Sequence, residues 1–289
     1  MKTRLRLGLG IGVFMGFLML GVMTPWINTG NTNENLLDIF KKEYKPPVPL
    51  LPPGVTVKPG FEAGEGAAVG NVQAAQGDVY VVHQSGRSAY RLKENLPLFA
   101  GDALVTGERS RLNAKMNDKS VFALAPNTKL VIDKSLYNPS KDERSSLLSL
   151  LFGKARLIVA KLQGTSQYEV KTPTAVCGVR GSDFGLSVTP IEKKSSTLKR
   201  NLASLVAVPD AYAQPAPPLM TIVVTGPDTT VGFAGAVGAT QTVGPASVCA
   251  AAAGAAAGVP TVVGAAAALG ALDAVGPGLA SLSMPPGYK

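Results

Sequence analysis

Histidine, tryptophan and cysteine are nearly absent from this 289-residue chain, which has one His, one Trp and two Cys. With His83 as the only imidazole, a multi-histidine metal centre is excluded, and any Ser-His-Asp triad would have to use that one residue. His83 follows Tyr80-Val81-Val82 and reads as an exposed strand-end histidine. No phosphate loop, dinucleotide fingerprint or nucleophile elbow occurs. Asp78, Asp102, Asp118 and Asp183 stand at Gly- or Asn-containing turns, where carboxylates bond nearby backbone amides, and they do not read as a catalytic pair. Aromatics make up only 6% of the residues, so the net charge of +9 lacks the stacking groups of a nucleic-acid surface. The expectation is a non-enzyme with no catalytic residue, no metal, no cofactor and no nucleic-acid partner.

What is present begins with a secretory pattern. Lys2, Arg4 and Arg6 precede an apolar run from Leu7 to Met23, and this polarity keeps the N-terminus in the cytoplasm and sends the remainder outward. Met23-Thr24-Pro25-Trp26 is a poor cleavage site, which favours an uncleaved anchor over residues 1–27 with Trp26 at the outer interface. The expected location is the periplasm or the outer face of the cytoplasmic membrane, or secretion if the segment is removed. The inner membrane is then a partner through an N-terminal helix.

Residues 28–65 read as a spacer. Asn35 to Lys42 has the pattern of about two helical turns with Leu36, Leu37 and Phe40 on one face. Five prolines between Pro46 and Pro53 then favour an extended polyproline stretch. From residue 66 to 190 short apolar runs alternate with turn formers at Gly77, Ser85-Gly86, Pro97, Gly107, Asn117-Asp118 and Pro126-Asn127, which argues for an all-β sandwich, barrel or solenoid. Leu147 to Phe152 could form a short amphipathic helix, whereas Gly153 to Val159 reads as a strand entered by a glycine turn. Tyr137 to Arg144 reads as an exposed loop. Residues 191–219 have the composition of a flexible insertion, 220–249 of closing strands, and 250–289 of an Ala/Gly-rich tail with one short helix. Pro260 argues against a second membrane helix there.

The remaining signal lies between Tyr168 and Val188. Period-two patterns at both ends flank a turn-rich centre, so two strands meeting at a tight corner are the simplest expectation. Thr172-Pro173-Thr174-Ala175-Val176-Cys177-Gly178-Val179-Arg180-Gly181-Ser182-Asp183-Phe184 resembles the signature of the FecR-type domain, with Cys177 where the family usually has Ala and Ser182 where it usually has Thr. Val69 to Val72, Gly77 to Val79, Gly101 to Gly107, Asn117 to Ser120 and Leu124 to Thr128 fit the same domain. The resemblance implies a twisted solenoid-like or sandwich-like β domain, non-catalytic, on the outer face of a membrane.

Within this motif Thr172, Pro173, Thr174, Gly178, Val179, Arg180, Gly181, Asp183 and Phe184 are expected to form a structural corner. Arg180 would donate to carbonyls at the bend, with Asp183 or Asp102 as counter-ion. Cys177 and Cys249 form a candidate disulfide, since the second cysteine falls where the closing strands should return to the motif. Family members of the signalling kind also carry a cytoplasmic region that engages a sigma factor. Only six residues precede the apolar run here, so that role is not expected to transfer. The expected function is an anchored envelope module that binds a protein or senses one. The alternative is a structural envelope or surface protein touching peptidoglycan or anionic glycans through its basic surface.

Overall fold

The computed structural model describes residues 32–46, 51, 53–84, 86–191 and 218–276; the expected anchor and all but the ends of the expected flexible insertion lie outside them. All but Thr32 belong to one unit. Among the described residues no helix is long and apolar enough to cross a membrane.

Helix α1 (Thr32–Lys41) leads into β1 (Thr56–Lys58). Eight strands follow: β2 (Ala68–Gln76), β3 (Val79–Val82), β4 (Ser88–Arg91), β5 (Pro97–Phe99), β6 (Ala103–Thr106), β7 (Arg111–Met116), β8 (Val121–Leu124) and β9 (Thr128–Asn138). Next come β10 (Glu143–Val159), β11 (Ser166–Lys171), β12 (Ala175–Val179), β13 (Ser182–Pro190), β14 (Leu219–Thr225), β15 (Val231–Gly235), β16 (Gln241–Val243), β17 (Ser247–Ala252) and β18 (Thr261–Val262), then helix α2 (Ala265–Val275).

The strands form two facing layers. The first runs β1-β4-β3-β6-β9-β10-β11-β12-β15-β16, and the second β5-β2-β7-β8-β10-β13-β14-β17-β18. Alternation sends Val81, Leu104, Leu130, Leu148, Val170 and Phe233 inward from one layer to meet Leu112, Phe122, Leu157, Phe184, Leu186 and Val223 from the other. The fold is therefore a two-sheet sandwich.

Strand β10 belongs to both layers. Glu143 to Phe152 pairs with β9, and Gly153 to Val159 pairs with β13. The change of layer falls at Gly153, whose φ of +90° suits glycine and whose missing Cβ would strike Thr128 Oγ1. Leu147 to Phe152, read above as a helix candidate, is thus the first part of a bent strand. Pairing on both sides of each layer outweighs the local helical spacing. Likewise Tyr137 and Asn138 extend β9, and the exposed loop shrinks to the turn before Glu143.

The sandwich contains an internal repeat that the sequence reading did not find. Val79 pairs with Thr106, Leu104 with Leu130, Leu112 with Leu124 and Val72 with Ala114. In the second half Phe184 pairs with Thr225, Val223 with Cys249, Val231 with Val243 and Cys177 with Phe233. From β6 to β9, equivalent residues are 119 positions apart without a gap, as in Thr106 and Thr225.

The turns repeat as well. Thr106 Oγ1 donates to Ala125 O at 2.6 Å and accepts from Thr128 N at 2.9 Å. Thr225 Oγ1 donates to Gly244 O at 2.5 Å and accepts from Ser247 N at 3.0 Å. Gly107 N bonds Asp78 O and Gly226 N bonds Asp183 O, both at 2.8 Å. Asn127 and Ala246 both have positive φ, 55° and 47°. Equivalent strands lie in opposite layers, so the second copy is flipped relative to the first.

Both helices cover the part of the second layer's outer face around β13, β14 and β17. Leu37 and Phe40 of α1 and Ala268, Ala271, Leu272 and Val275 of α2 pack on Ile222, Val224 and Val248. A Cβ at Gly185 would come within 2.7 Å of Phe40 and 2.8 Å of Leu272, so this glycine lets both helices sit close. The apolar face expected for Leu36, Leu37 and Phe40 is the face that packs.

Candidate functional site

The motif region is an arch of three strands, not the two-strand corner expected from sequence. Strand β11 ends at Lys171, and Thr172-Pro173-Thr174 turns the chain into β12, antiparallel to β11 in the first layer. Arg180-Gly181 then passes it to β13 in the second layer. Gly181 makes this crossing at φ +80°. Ala175 to Val179 was hidden as a strand because its outward positions include Gly178, which carries no side chain to complete the alternation.

Hydroxyls hold the first turn. Thr172 Oγ1 accepts from Ala175 N at 2.9 Å, and it and Thr174 Oγ1 bond Thr221 Oγ1 at 2.7 and 2.5 Å. Val179 and Phe184 point into the core, whereas Pro173 and Gly178 are exposed.

Arg180 does not fill the role expected of it. It is exposed and has no hydrogen bond or ion pair with a described residue. Arg156 supplies the guanidinium instead. Its side chain is 2% exposed, and its Nε and Nη2 donate to the two carboxylate oxygens of Asp183 at 3.0 and 2.8 Å. Nη1 donates to Asp273 Oδ1 at 2.6 Å and to Gly276 O at 3.3 Å. Arg156 thereby joins the motif to the C-terminal end of α2, where cations are favoured. Arg111 donates to Ala274 O and Val275 O at the same helix end.

The other counter-ion considered for Arg180, Asp102, is engaged elsewhere. Its Oδ1 lies 2.6 Å from His83 Nδ1, its Oδ2 accepts from Phe99 N at 2.8 Å, and burial raises its pKa above the usual carboxylate range. His83 is buried, which corrects the exposed reading; its Nε2 lies 2.8 Å from Glu62 O, and Phe61, Tyr90 and Phe99 surround the ring. Contact with a carbonyl makes Nε2 a donor. The pair with Asp102 therefore needs a second proton between Nδ1 and Oδ1.

Asp118 caps Ser120 N at 3.0 Å and pairs with the buried Arg144 at 3.1 Å. Arg144 also donates to Ser120 Oγ, Ala160 O and Ser166 Oγ and lies over the Tyr168 ring. Neither Arg144 nor Arg156 was singled out from sequence. The available signal was an arginine within an otherwise apolar alternation, as in Ala155-Arg156-Leu157.

Cys177 and Cys249 are both buried in the main core as free thiols, so the expected disulfide is not formed. Burial pushes both thiols up, with the neighbouring Cys249 adding to the effect on Cys177. Cys249 Sγ donates to Gly258 O at 2.9 Å. Among the described residues no group of three His, Cys, Asp or Glu side chains could hold a metal ion.

The outer face of the first layer presents the arch to solvent. Register aligns Val131, Ser149, Lys171, Val176 and Ala234 in one row and Leu147, Glu169, Gly178 and Gly232 in the next. Val176 and Leu151 are 38% and 40% exposed, and open space lies above Gly178.

Fold and arch define a β-sandwich protein whose buried charges are bonded largely to one another. Comparison with known families is more specific: residues 102–200 match the FecR protein family, which identifies this stretch as a FecR domain. The match takes in β6 to β13 and therefore straddles the two copies of the repeat. No curated protein matches the chain. Two crystal structures of a candidate anti-sigma factor from Parabacteroides distasonis ATCC 8503, at 1.65 and 2.50 Å resolution, are similar to it. Each has 13% sequence identity and a TM-score of 0.37, with 56% of this chain and 60% of the other covered. The chain thus spans about 60% of the length of those proteins.

Proposed function

We propose that this protein is a non-catalytic sensing or protein-binding module of the cell envelope, held at the membrane by its apolar N-terminal segment. Its partner meets the open face of the first layer. The observation that carries this reading is the asymmetry of the sandwich. Two helices cover the part of one sheet's outer face around β14, whereas the other sheet offers Val176, Gly178 and Arg180 of the FecR motif to solvent. Small and apolar positions beside isolated charges suit a protein partner better than a polyanion.

The test is a crosslinked pull-down from envelopes with wild type and with Val176→Asp or Gly178→Glu as bait. One stoichiometric protein, retained through a high-salt wash and lost in both variants while their melting temperatures hold, supports the reading. Recovery of wall fragments alone, released by salt, overturns it in favour of a structural, glycan-contacting protein.

A further inference from the structure

A second polar feature lies on the opposite side of the molecule, beneath the end of α1. Where β10 changes layer, Lys41, Glu43, Tyr44, Arg111, Lys154 and Thr189 line a cavity of about 90 Å³, with Val275 of α2 closing one side. Lys154 is only 8% exposed, and its Nζ has no hydrogen-bond or ion-pair partner among the described residues. Thr189 Oγ1 is buried in the same wall without a partner. A largely buried lysine without a bonded partner among the described residues and a buried, unbonded hydroxyl carry a desolvation cost that an occupant of the cavity would offset.

The charges facing the cavity specify that occupant. Lys154 and Arg111 come from the sheet and Lys41 from α1. The one carboxylate, Glu43, accepts a hydrogen bond from Asn127 Nδ2 at 2.9 Å. Asp273 of α2 is bonded to Arg156. Cations exceed carboxylates, and hydroxyls can donate to an oxyanion. We propose that this cavity binds a small free oxyanion, a phosphate or a carboxylate, through Lys154 Nζ and Thr189 Oγ1, with Arg111 adding positive charge.

The site makes a second, independent demand on pH. Burial lowers the Lys154 pKa to about 8, opposed by Glu43 and reinforced by Arg111. Binding should therefore weaken as pH rises through about 8, and a bound anion should restore the lysine toward its ordinary value of 10.5.

The test uses the full chain in detergent. Thermal melting and calorimetry at neutral pH are run with inorganic phosphate, acetate and chloride at matched ionic strength. The expected result is a saturable rise in melting temperature with phosphate or acetate beyond that with chloride. Lys154→Met and Thr189→Val should each weaken binding, the former about tenfold or more, and the surface change Lys115→Met should leave it intact. Should Lys154→Met fail to fold, Thr189→Val and the fall in affinity above pH 8 decide the matter. Identical responses to all three anions, or full binding retained in Thr189→Val with no loss above pH 8, would overturn the proposal.

Discussion

Arg156 holds both carboxylate oxygens of Asp183, at 3.0 and 2.8 Å, at the point where the FecR motif enters the second layer. The same guanidinium holds Asp273 beside the end of α2, so one buried side chain fastens a strand, the motif and a helix. Arg156→Leu should cost about 3–5 kcal/mol, because it strands a partly buried carboxylate and frees a helix end. Arg180→Ala should stay within about 0.5 kcal/mol, as befits an exposed residue. Urea unfolding of the two variants checks this; equal losses would contradict the assignment.

The repeat makes a paired prediction. Thr106 and Thr225 perform the same bonds in the two copies, so Thr106→Val and Thr225→Val should each destabilise by about 1–3 kcal/mol. A large loss from one and none from the other would show that the two turns are not energetically equivalent.

Two glycines should respond in opposite ways. Gly153→Ala meets Thr128 and forces alanine to positive φ, and should cost more than about 1 kcal/mol. Gly178→Ala faces open space without positive φ and should be neutral or stabilising by up to about 1 kcal/mol. Thermal melting distinguishes them.

Burial raises the Asp102 pKa above its ordinary value of 3.8. Between those values the folded protein holds more protons than the unfolded chain. The Asp102 contribution to stability is therefore greatest on the acid side and declines as pH rises through the folded pKa. Comparing urea midpoints of wild type and Asp102→Asn across this range isolates the effect: wild type should lose ground to the variant with rising pH.

Cys177 and Cys249 should both appear as free thiols in a non-reducing peptide map and should resist thiol reagents until the protein unfolds. A Cys177–Cys249 peptide would contradict the structure.

The β character, the α1 contact face and the motif were legible in the sequence because each rests on local periodicity or on turn residues. The helix candidate at Leu147 to Phe152 misled because alternating leucines and serines suit either element locally, and only partners distant in sequence select the strand. Arg180 misled in another way: the motif places an arginine near an aspartate, but strand β12 turns Arg180 outward while β10 brings Arg156 across. The repeat was present as Val105-Thr106-Gly107 with Pro126 and as Val224-Thr225-Gly226 with Pro245, at identical spacing. The intervening residues differ so much, Cys249 standing where Leu130 does, that the match emerges only when strand pairings are superimposed. The cavity proposed to take an oxyanion joins α1, β7, β10 and β13, and no contiguous stretch of sequence could have revealed it.

The bent strand β10 also sets an order of assembly. A chain that emerges N-terminus first delivers β2 to β9 first, and β8 and β9 then present bare edges in both layers. Neither can be paired until Glu143 to Val159 has emerged, and this strand in turn offers the edges on which β11 and β13 dock. The first half therefore waits as two open templates, vulnerable to pairing with a neighbouring chain. Truncation just before β10 should yield a species that aggregates, whereas truncation after β13 should leave both of its waiting edges sealed.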